Sequence, residues 1–145
     1  MILTACIAAV VAFACGAARW YLNRTSRRET EYGKGRVRLT ALWNEGGAFG
    51  LPLRGKKLLA ATAAGLAGAL TLTRRCRLGA GLILGGGLSN LWERLRHGRV
   101  YDYVRFPKAP GKLKRCVFNL ADFAIFLGGL LVLLGCGRKR GKTER

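Results

Sequence analysis

The stretch Val117–Gly137, VFNLADFAIFLGGLLVLLGCG, contains no Lys, Arg or Glu and is predicted to cross a bilayer as a helix, which needs ~20 apolar residues. Asp122 lies near its start. An ionisable group at a membrane boundary costs free energy, so a functional role is the first hypothesis. The other aspartate in the chain, Asp102, also lies where an apolar segment meets a polar loop. Two carboxylates that meet would indicate an aspartyl acid/base pair.

Three more runs lack Lys, Arg and Glu: Ile2–Ala18, Leu58–Thr73 and Leu78–Trp92. The first is long enough to span a bilayer, and the two shorter runs are flanked by Lys or Arg, whose alkyl stems reach the interface. Two spans plus a buried hairpin remain the alternative on length alone. We predict a mainly α membrane protein, one domain over residues 1–145, with four transmembrane helices at about 2–20, 58–73, 78–94 and 117–137 and loops at about 21–57 and 95–116.

The composition favours a bilayer over nucleic acid as the partner. Half of the 145 residues are hydrophobic, yet the net charge is +19. In a soluble protein this charge would indicate nucleic-acid binding, but here the apolar and basic residues are segregated along the chain. The five cysteines form no C-x-x-C pair and His97 is the one histidine, so we expect neither a metal site nor a cofactor.

The distribution of Lys and Arg leaves the membrane orientation open. Most of these residues lie in 19–57 and 93–116, which by count would place both segments in the cytoplasm. The densest clusters, within 74–77 and 138–140, directly abut predicted helix ends and favour the opposite orientation.

The third apolar run carries a polar stripe. Gly86, Asn90 and Arg94 stand four residues apart and share one helix face, with Glu93 beside them. Such a stripe at the end of a membrane helix is either an interfacial cap or the wall of a site.

Two segments show the alternation of half-buried strands. Arg36–Trp43 alternates and runs into the glycine-rich turn Asn44–Gly50. In Arg99–Phe106, alternation places Asp102 on the apolar face with Val100. The alternative is a loop aspartate that pairs with a neighbouring arginine.

Asn119 and Asp122 stand three residues apart at the start of the last apolar run, so they share a helix face. Both residue types also serve as helix N-terminal caps. The cap interpretation suits Asn119 well and explains Asp122 less easily, because Asp122 lies deeper in the helix.

Three blocks in order resemble the bacterial lipoprotein signal peptidases, the signal peptidase II family. NEGGAFG (Asn44–Gly50) resembles the family's Asn-x-Gly-x-x-Phe turn. GGGLSNLWER (Gly85–Arg94), followed by GRVYDY (Gly98–Tyr103), resembles the segment of the first catalytic aspartate, and FNLAD (Phe118–Asp122) resembles that of the second. Each block alone is weak, but the chain's two aspartates fall on both catalytic positions.

The resemblance implies an intramembrane aspartyl endopeptidase with Asp102 and Asp122 as its catalytic pair. Its substrate would be a diacylglyceryl-modified prolipoprotein, cut on the N-terminal side of the lipidated cysteine. It further implies a place in the bacterial cell (inner) membrane, with both termini in the cytoplasm and an extracytoplasmic β-cradle near the active site. We expect the protein to be a monomer. Basic outer loops would engage anionic phospholipid. The substrate-binding or supporting residues would be Asn44, Gly86, Asn90, Arg94 and Asn119.

Some positions depart from the family pattern. The family has an Asp and a Lys near the end of the first helix, where this chain offers Arg19. Glu93 stands in place of a family Asp, and Ser89 in place of a Gly. Two other classes of function stay open: a non-catalytic family member that binds lipidated peptides, and a basic membrane scaffold that recruits anionic lipid or RNA.

Overall fold

The computed structural model describes residues 1–25, 29–46, 55–74 and 76–136. Within them the chain is mainly helical with a small antiparallel sheet, as predicted. Short 3-10 turns occupy Leu72–Arg74 and Gly111–Arg115. The helices are α1 (Ile2–Arg24), α2 (Gly55–Thr71), α3 (Arg77–His97) and α4 (Leu120–Cys136), and the strands are β1 (Glu31–Tyr32), β2 (Val37–Asn44), β3 (Val100–Arg105) and β4 (Val117–Phe118).

The helix bounds differ from the predicted ones mainly at helix ends. The first helix continues to Arg24 and the third to His97, so both extend beyond their uncharged runs. The fourth begins at Leu120 and not at Val117, because Val117 and Phe118 pair with β3 as a strand. Residues 47–50 of the glycine-rich turn and the basic cluster 138–140 lie outside the described residues.

Helix α3 packs against the other three helices, and its glycines allow the close approach. A Cβ on Gly85 would lie 2.6 Å from the Ala8 carbonyl oxygen of α1, and one on Gly86 would lie 2.6 Å from the Ala121 carbonyl oxygen of α4. Backbone atoms cannot move aside as side-chain ends do. Such small-residue contacts are typical of helix packing in membranes, where no hydrophobic driving force brings helices together.

Large apolar side chains point outward along the helices. The core cluster of buried apolar residues is small, with Ala8, Ala69 and Leu84, whereas Phe13 is 78% exposed and Leu133 is 74% exposed. An apolar outer surface of this kind suits contact with lipid. Among the described residues, α1 is the one helix long and apolar enough to span a membrane by itself, and α4 carries a shorter apolar stretch. The four-span arrangement therefore stays a prediction.

The sheet runs in the order β1-β2-β3-β4 with antiparallel neighbours. The predicted strand at Arg36–Trp43 is confirmed within one residue as β2. Its alternation is broken by a register shift between Leu39 and Leu42, after which Leu42 pairs with Asp102 and Asn44 pairs with Val100. This irregularity places Asn44 on the same sheet face as Asp102, as a diagonal neighbour.

Candidate active site

Asp102 lies in the buried part of β3. It is 3% exposed, and Tyr101 and Tyr103 on either side are also buried, so both faces of the strand are covered there. The alternative interpretation of a loop aspartate paired with an arginine is wrong, because the carboxylate partners are amides. The Asn44 side-chain amide donates to Asp102 Oδ2 at 2.9 Å, and the Asn119 amide donates to Asp102 Oδ1 at 2.6 Å.

Asn119 caps α4, as the sequence suggested. Its Oδ1 accepts from the backbone N–H groups of Ala121 at 2.8 Å and Asp122 at 3.2 Å. These donors belong to the first turn of the helix, where backbone N–H groups have no helical acceptor. Since the cap fixes the side chain of Asn119, its free amide group is aimed at Asp102.

Asp122 completes a capping box with Asn119. Its Oδ2 accepts from the Asn119 backbone N–H at 3.0 Å, which is the reciprocal bond expected of an acidic residue three positions after the cap. The cap therefore explains one oxygen of Asp122. The second oxygen, Oδ1, accepts from the Asn90 side-chain amide of α3 at 3.0 Å.

Asn119 thus bonds both aspartates, with its side chain to Asp102 and its backbone to Asp122. The two aspartates and the three amides form one connected group, which we call the aspartate cluster: Asp102, Asp122, Asn44, Asn90 and Asn119.

Gly86 and Arg94 support the cluster from α3. Gly86 packs against the Ala121 carbonyl oxygen and so brings α3 close to the first turn of α4. The Arg94 guanidinium donates to the backbone oxygens of Asn90 at 3.4 Å and Gly46 at 3.3 Å. It therefore ties the end of α3 to the turn that follows β2. The structure brings every predicted site residue into one region.

Arg19 of α1 orients one of the amides of the aspartate cluster, a role that its position in the sequence did not indicate. It is a buried cation, 6% exposed, on α1. Its Nη1 donates to Ser89 Oγ at 2.7 Å, and its Nη2 donates to Asn90 Oδ1 at 2.6 Å. The Asn90 amide is thereby oriented, with its oxygen toward Arg19 and its nitrogen toward Asp122. Two of the departures from the family pattern, Arg19 and Ser89, contact each other directly.

Tyr103 makes a contact with α4 that strand alternation did not predict. It lies on the opposite face of β3 from Asp102, yet its hydroxyl accepts from the Leu120 backbone N–H at 3.0 Å. This bond satisfies another donor in the first turn of α4. The tyrosine carries no signal in the sequence, because the contact depends on how β3 and α4 meet.

Burial raises the pKa of Asp102 from 3.8 to about 6, and repulsion from Asp122 adds to this rise. The amide bonds from Asn119 and Asn44 and the charge of Arg94 lower the pKa of Asp102 and so limit the shift. A carboxyl that titrates near neutrality beside a second carboxyl can hold a proton in one step and release it in the next. The cluster can therefore perform acid/base chemistry.

Comparisons with known proteins agree with these observations. The sequence pattern of the family described as Signal peptidase (SPase) II matches residues 6–136. The "Lipoprotein signal peptidase" of Pelotomaculum thermopropionicum is 41% identical over 119 residues, which cover 74% of this chain and 74% of that protein. The protein of the same name from Syntrophomonas wolfei is 38% identical over 122 residues, which cover 79% of this chain and 75% of that protein.

A solved bacterial membrane enzyme, determined by the in meso method at 2.3 Å resolution, has the same fold, with a TM-score of 0.75 at 20% identity. The match covers 98% of this chain and 94% of that one. The family pattern and the identity to the Pelotomaculum protein together establish that this chain belongs to the signal peptidase II family.

Proposed function

We propose that the protein is an aspartyl endopeptidase that removes the signal peptide from diacylglyceryl-modified prolipoproteins by cutting N-terminal to the lipidated cysteine. One observation carries this proposal: Asn119 bonds both of the chain's aspartates, and these are drawn from two distant segments. A scaffold or binding protein has no need to hold two carboxylates together in a buried place, where their repulsion costs free energy.

In this mechanism Asp102 and Asp122 share one proton. The ionised carboxylate takes a proton from water, and the resulting hydroxide attacks the scissile carbonyl carbon. The protonated carboxyl polarises the carbonyl oxygen, and a proton is then delivered to the leaving amine as the C–N bond breaks. The pair titrates as a unit, so the roles of base and acid belong to the pair.

The supporting residues keep the two carboxylates in place. Asn44 and Asn119 donate to Asp102, while Asn90 donates to Asp122 and is itself oriented by Arg19. Donors fixed before the substrate arrives need no reorganisation during the reaction, and this is how positioned dipoles lower a barrier.

The outward apolar side chains support a place for the enzyme in the bacterial cell membrane. We propose four spans with both termini in the cytoplasm, so that the sheet and the aspartate cluster lie near the extracytoplasmic face. The enzyme acts as a monomer on lipidated prolipoproteins, and its basic loops contact anionic phospholipid, at ~1 kcal/mol per basic residue near a charged surface.

The decisive experiment is cleavage of a diacylglyceryl-modified prolipoprotein in detergent by the wild type, Asp102→Asn and Asp122→Asn. Each of the two variants should lose at least about 1,000-fold in kcat, because neither retains a carboxyl pair. Glu31→Gln on the exposed strand β1 is the matched acid-to-amide control and should keep wild-type turnover.

Three outcomes would contradict the proposal. Near-wild-type turnover by either aspartate variant would exclude the shared-proton mechanism, and loss of activity in EDTA would indicate a metal. Binding of lipidated peptide without cleavage by the wild type would identify a non-catalytic family member. Mass spectrometry of the product locates the cut relative to the lipidated cysteine.

A further inference from the structure

A cavity of about 170 Å³ lies between α1, α3, β2 and β3. Neither aspartate of the cluster lines it, so it is separate from the candidate catalytic pair. One water needs about 15 Å³ in the same measure, so the cavity is large enough for a polar group of several heavy atoms. The residues that give it chemical character are Arg19, Trp20, Trp43, Glu93, His97 and Tyr101.

The cavity is lined by a carboxylate with unused capacity. Glu93 is half-buried and has neither a hydrogen bond nor an ion pair within the described part of the chain. A partly buried charge without a partner costs free energy, so Glu93 favours a ligand that carries a cation. Arg19 also lines the cavity, but its Nε–H, which has no acceptor among the described residues, is itself buried and does not face the cavity space.

Aromatic rings supply most of the remaining wall. The ring centroids of Trp43 and Tyr101 lie 5.2 Å apart, and those of Trp43 and His97 lie 6.0 Å apart. Exposed guanidinium groups already stack on two of the rings, Arg99 at 4.7 Å from Trp43 and Arg24 at 4.8 Å from Trp20. Aromatic faces attract cations such as an alkylammonium group, and the two arginines add positive charge beside the cavity.

In the membrane arrangement proposed above, on which this inference rests, the cavity lies at the level where a lipid headgroup would meet the protein. It is formed at the ends of α1 and α3, and tryptophans at helix ends are typical of the membrane–water interface. Trp20 is 59% exposed, and Trp92 on α3 is 61% exposed. A ligand in this place is therefore more readily supplied from the lipid surface than from the aspartate cluster.

We propose that this cavity binds the headgroup of an ammonium-bearing phospholipid, a phosphoethanolamine group attached to its lipid. The ammonium group lies at Glu93 beside the aromatic rings, and the phosphate lies toward the guanidinium groups of Arg24 and Arg99, which stack on two tryptophans of the cavity wall. The site adjoins the aspartate cluster through Arg19, which also orients Asn90, but neither aspartate lines it. It also differs from the general attraction of basic loops to anionic lipid, because an anionic lipid without an ammonium group leaves Glu93 unpaired.

The test is binding of short-chain lipids to the full-length protein in maltoside micelles, measured by tryptophan fluorescence. Dihexanoylphosphatidylethanolamine should bind about tenfold more tightly than dihexanoylphosphatidylglycerol, because only the former satisfies Glu93. Glu93→Gln should reduce this preference to near unity. Glu31→Gln makes the same chemical change outside the cavity and should leave the lipid preference unchanged. Trp20→Phe should remove much of the signal change, whereas Trp92→Phe should leave it.

The wild-type comparison of the two lipids decides the proposal even if Glu93→Gln does not fold. Equal affinity for both lipids, or tighter binding of phosphatidylglycerol, would overturn it. Free phosphoethanolamine that binds as tightly as the lipid would show that the ligand is not lipid-borne. A lysine-containing peptide that changes the fluorescence where the lipid does not would assign the cavity to substrate, and the proposal would be wrong.

Discussion

Helix α3 contributes both to the aspartate cluster and to the close glycine contacts between helices, but the two regions are stabilised in different ways. At Gly86 the helices meet because a side chain is absent, and a Cβ there would lie 2.6 Å from the Ala121 carbonyl oxygen. One turn later, Asn90 bridges α3 to α4 with a directed hydrogen bond to Asp122. The glycine contact sets how close the helices come, and the amides then set where the carboxylates point. A function that needs fixed carboxylates depends on both.

Apart from the two aspartates, the largest expected effect on cleavage is at Asn119, because this residue hydrogen-bonds both of them. Asn119→Ser keeps a cap oxygen for α4 but removes the amide that donates to Asp102. We expect kcat/KM to fall at least about 100-fold, because a small displacement of a reacting group has a cost of that order. Asn44→Ala, which removes one bond to one aspartate, should cost about tenfold.

Cleavage assays on both variants check this ranking, and melting temperatures in detergent show that the fold is intact. An Asn44→Ala loss equal to or greater than that of Asn119→Ser would mean that the shared bonds of Asn119 do not organise the pair. Because both amide bonds lower the pKa of Asp102, either variant should also move the limbs of the pH–rate profile to higher pH.

The second prediction concerns how the stability of the folded protein depends on pH through Asp102. The folded-state pKa of Asp102, about 6, lies above its ordinary value of 3.8, so the folded protein binds the proton more tightly than the unfolded chain does. Stability should therefore fall as pH rises from about 4 to about 6, by an amount of order 3 kcal/mol for this group alone. Melting temperatures between pH 4 and 8 measure the slope. The Asp102→Asn variant should lose the contribution of Asp102 to this pH dependence. An unchanged slope in the variant would mean that another group titrates in this range.

Much of the cluster could be predicted from local patterns. Strand alternation placed Asp102 on an apolar face, and the three-residue spacing and residue types identified Asn119 as the cap of α4. The polar stripe of α3 was also visible in the sequence, because a single helix fixes the relation between Gly86 and Asn90.

The remainder depends on contacts between distant segments. The register shift in β2 places Asn44 on the same sheet face as Asp102, and no local sequence pattern predicts this shift. Val117 and Phe118 look like the start of an apolar helix, but pairing with β3 makes them a strand. Arg19 reaches Ser89 across 70 residues of sequence, so its role is visible only in the packed helices.

Two adjacent glycines of α4 test the glycine contacts. A Cβ on Gly128 would lie 2.6 Å from the Gly79 carbonyl oxygen, whereas one on Gly129 would have no neighbour within 4 Å among the described residues. Gly128→Ala should destabilise the protein by about 1–3 kcal/mol through overpacking against α3. Gly129→Ala should be neutral or slightly stabilising, because alanine is the better helix former. Melting temperatures of the two variants in detergent provide the comparison, and equal values would contradict the close approach of α3 and α4.

The smallest effect is expected on the outer face of the sheet, where Arg38 donates to the Glu31 carboxylate. Both side chains reach solvent, so the pair gains little over its separate interactions with water. Arg38→Gln should leave the free energy of unfolding nearly unchanged, and added salt should reduce any difference further. Cleavage should be unchanged, because Arg38 has no contact with the aspartate cluster within the described residues. A loss of cleavage in Arg38→Gln with an unchanged melting temperature would extend the functional region to β1 and β2, and the hydrogen bonds around Asn119 would then be only part of the site.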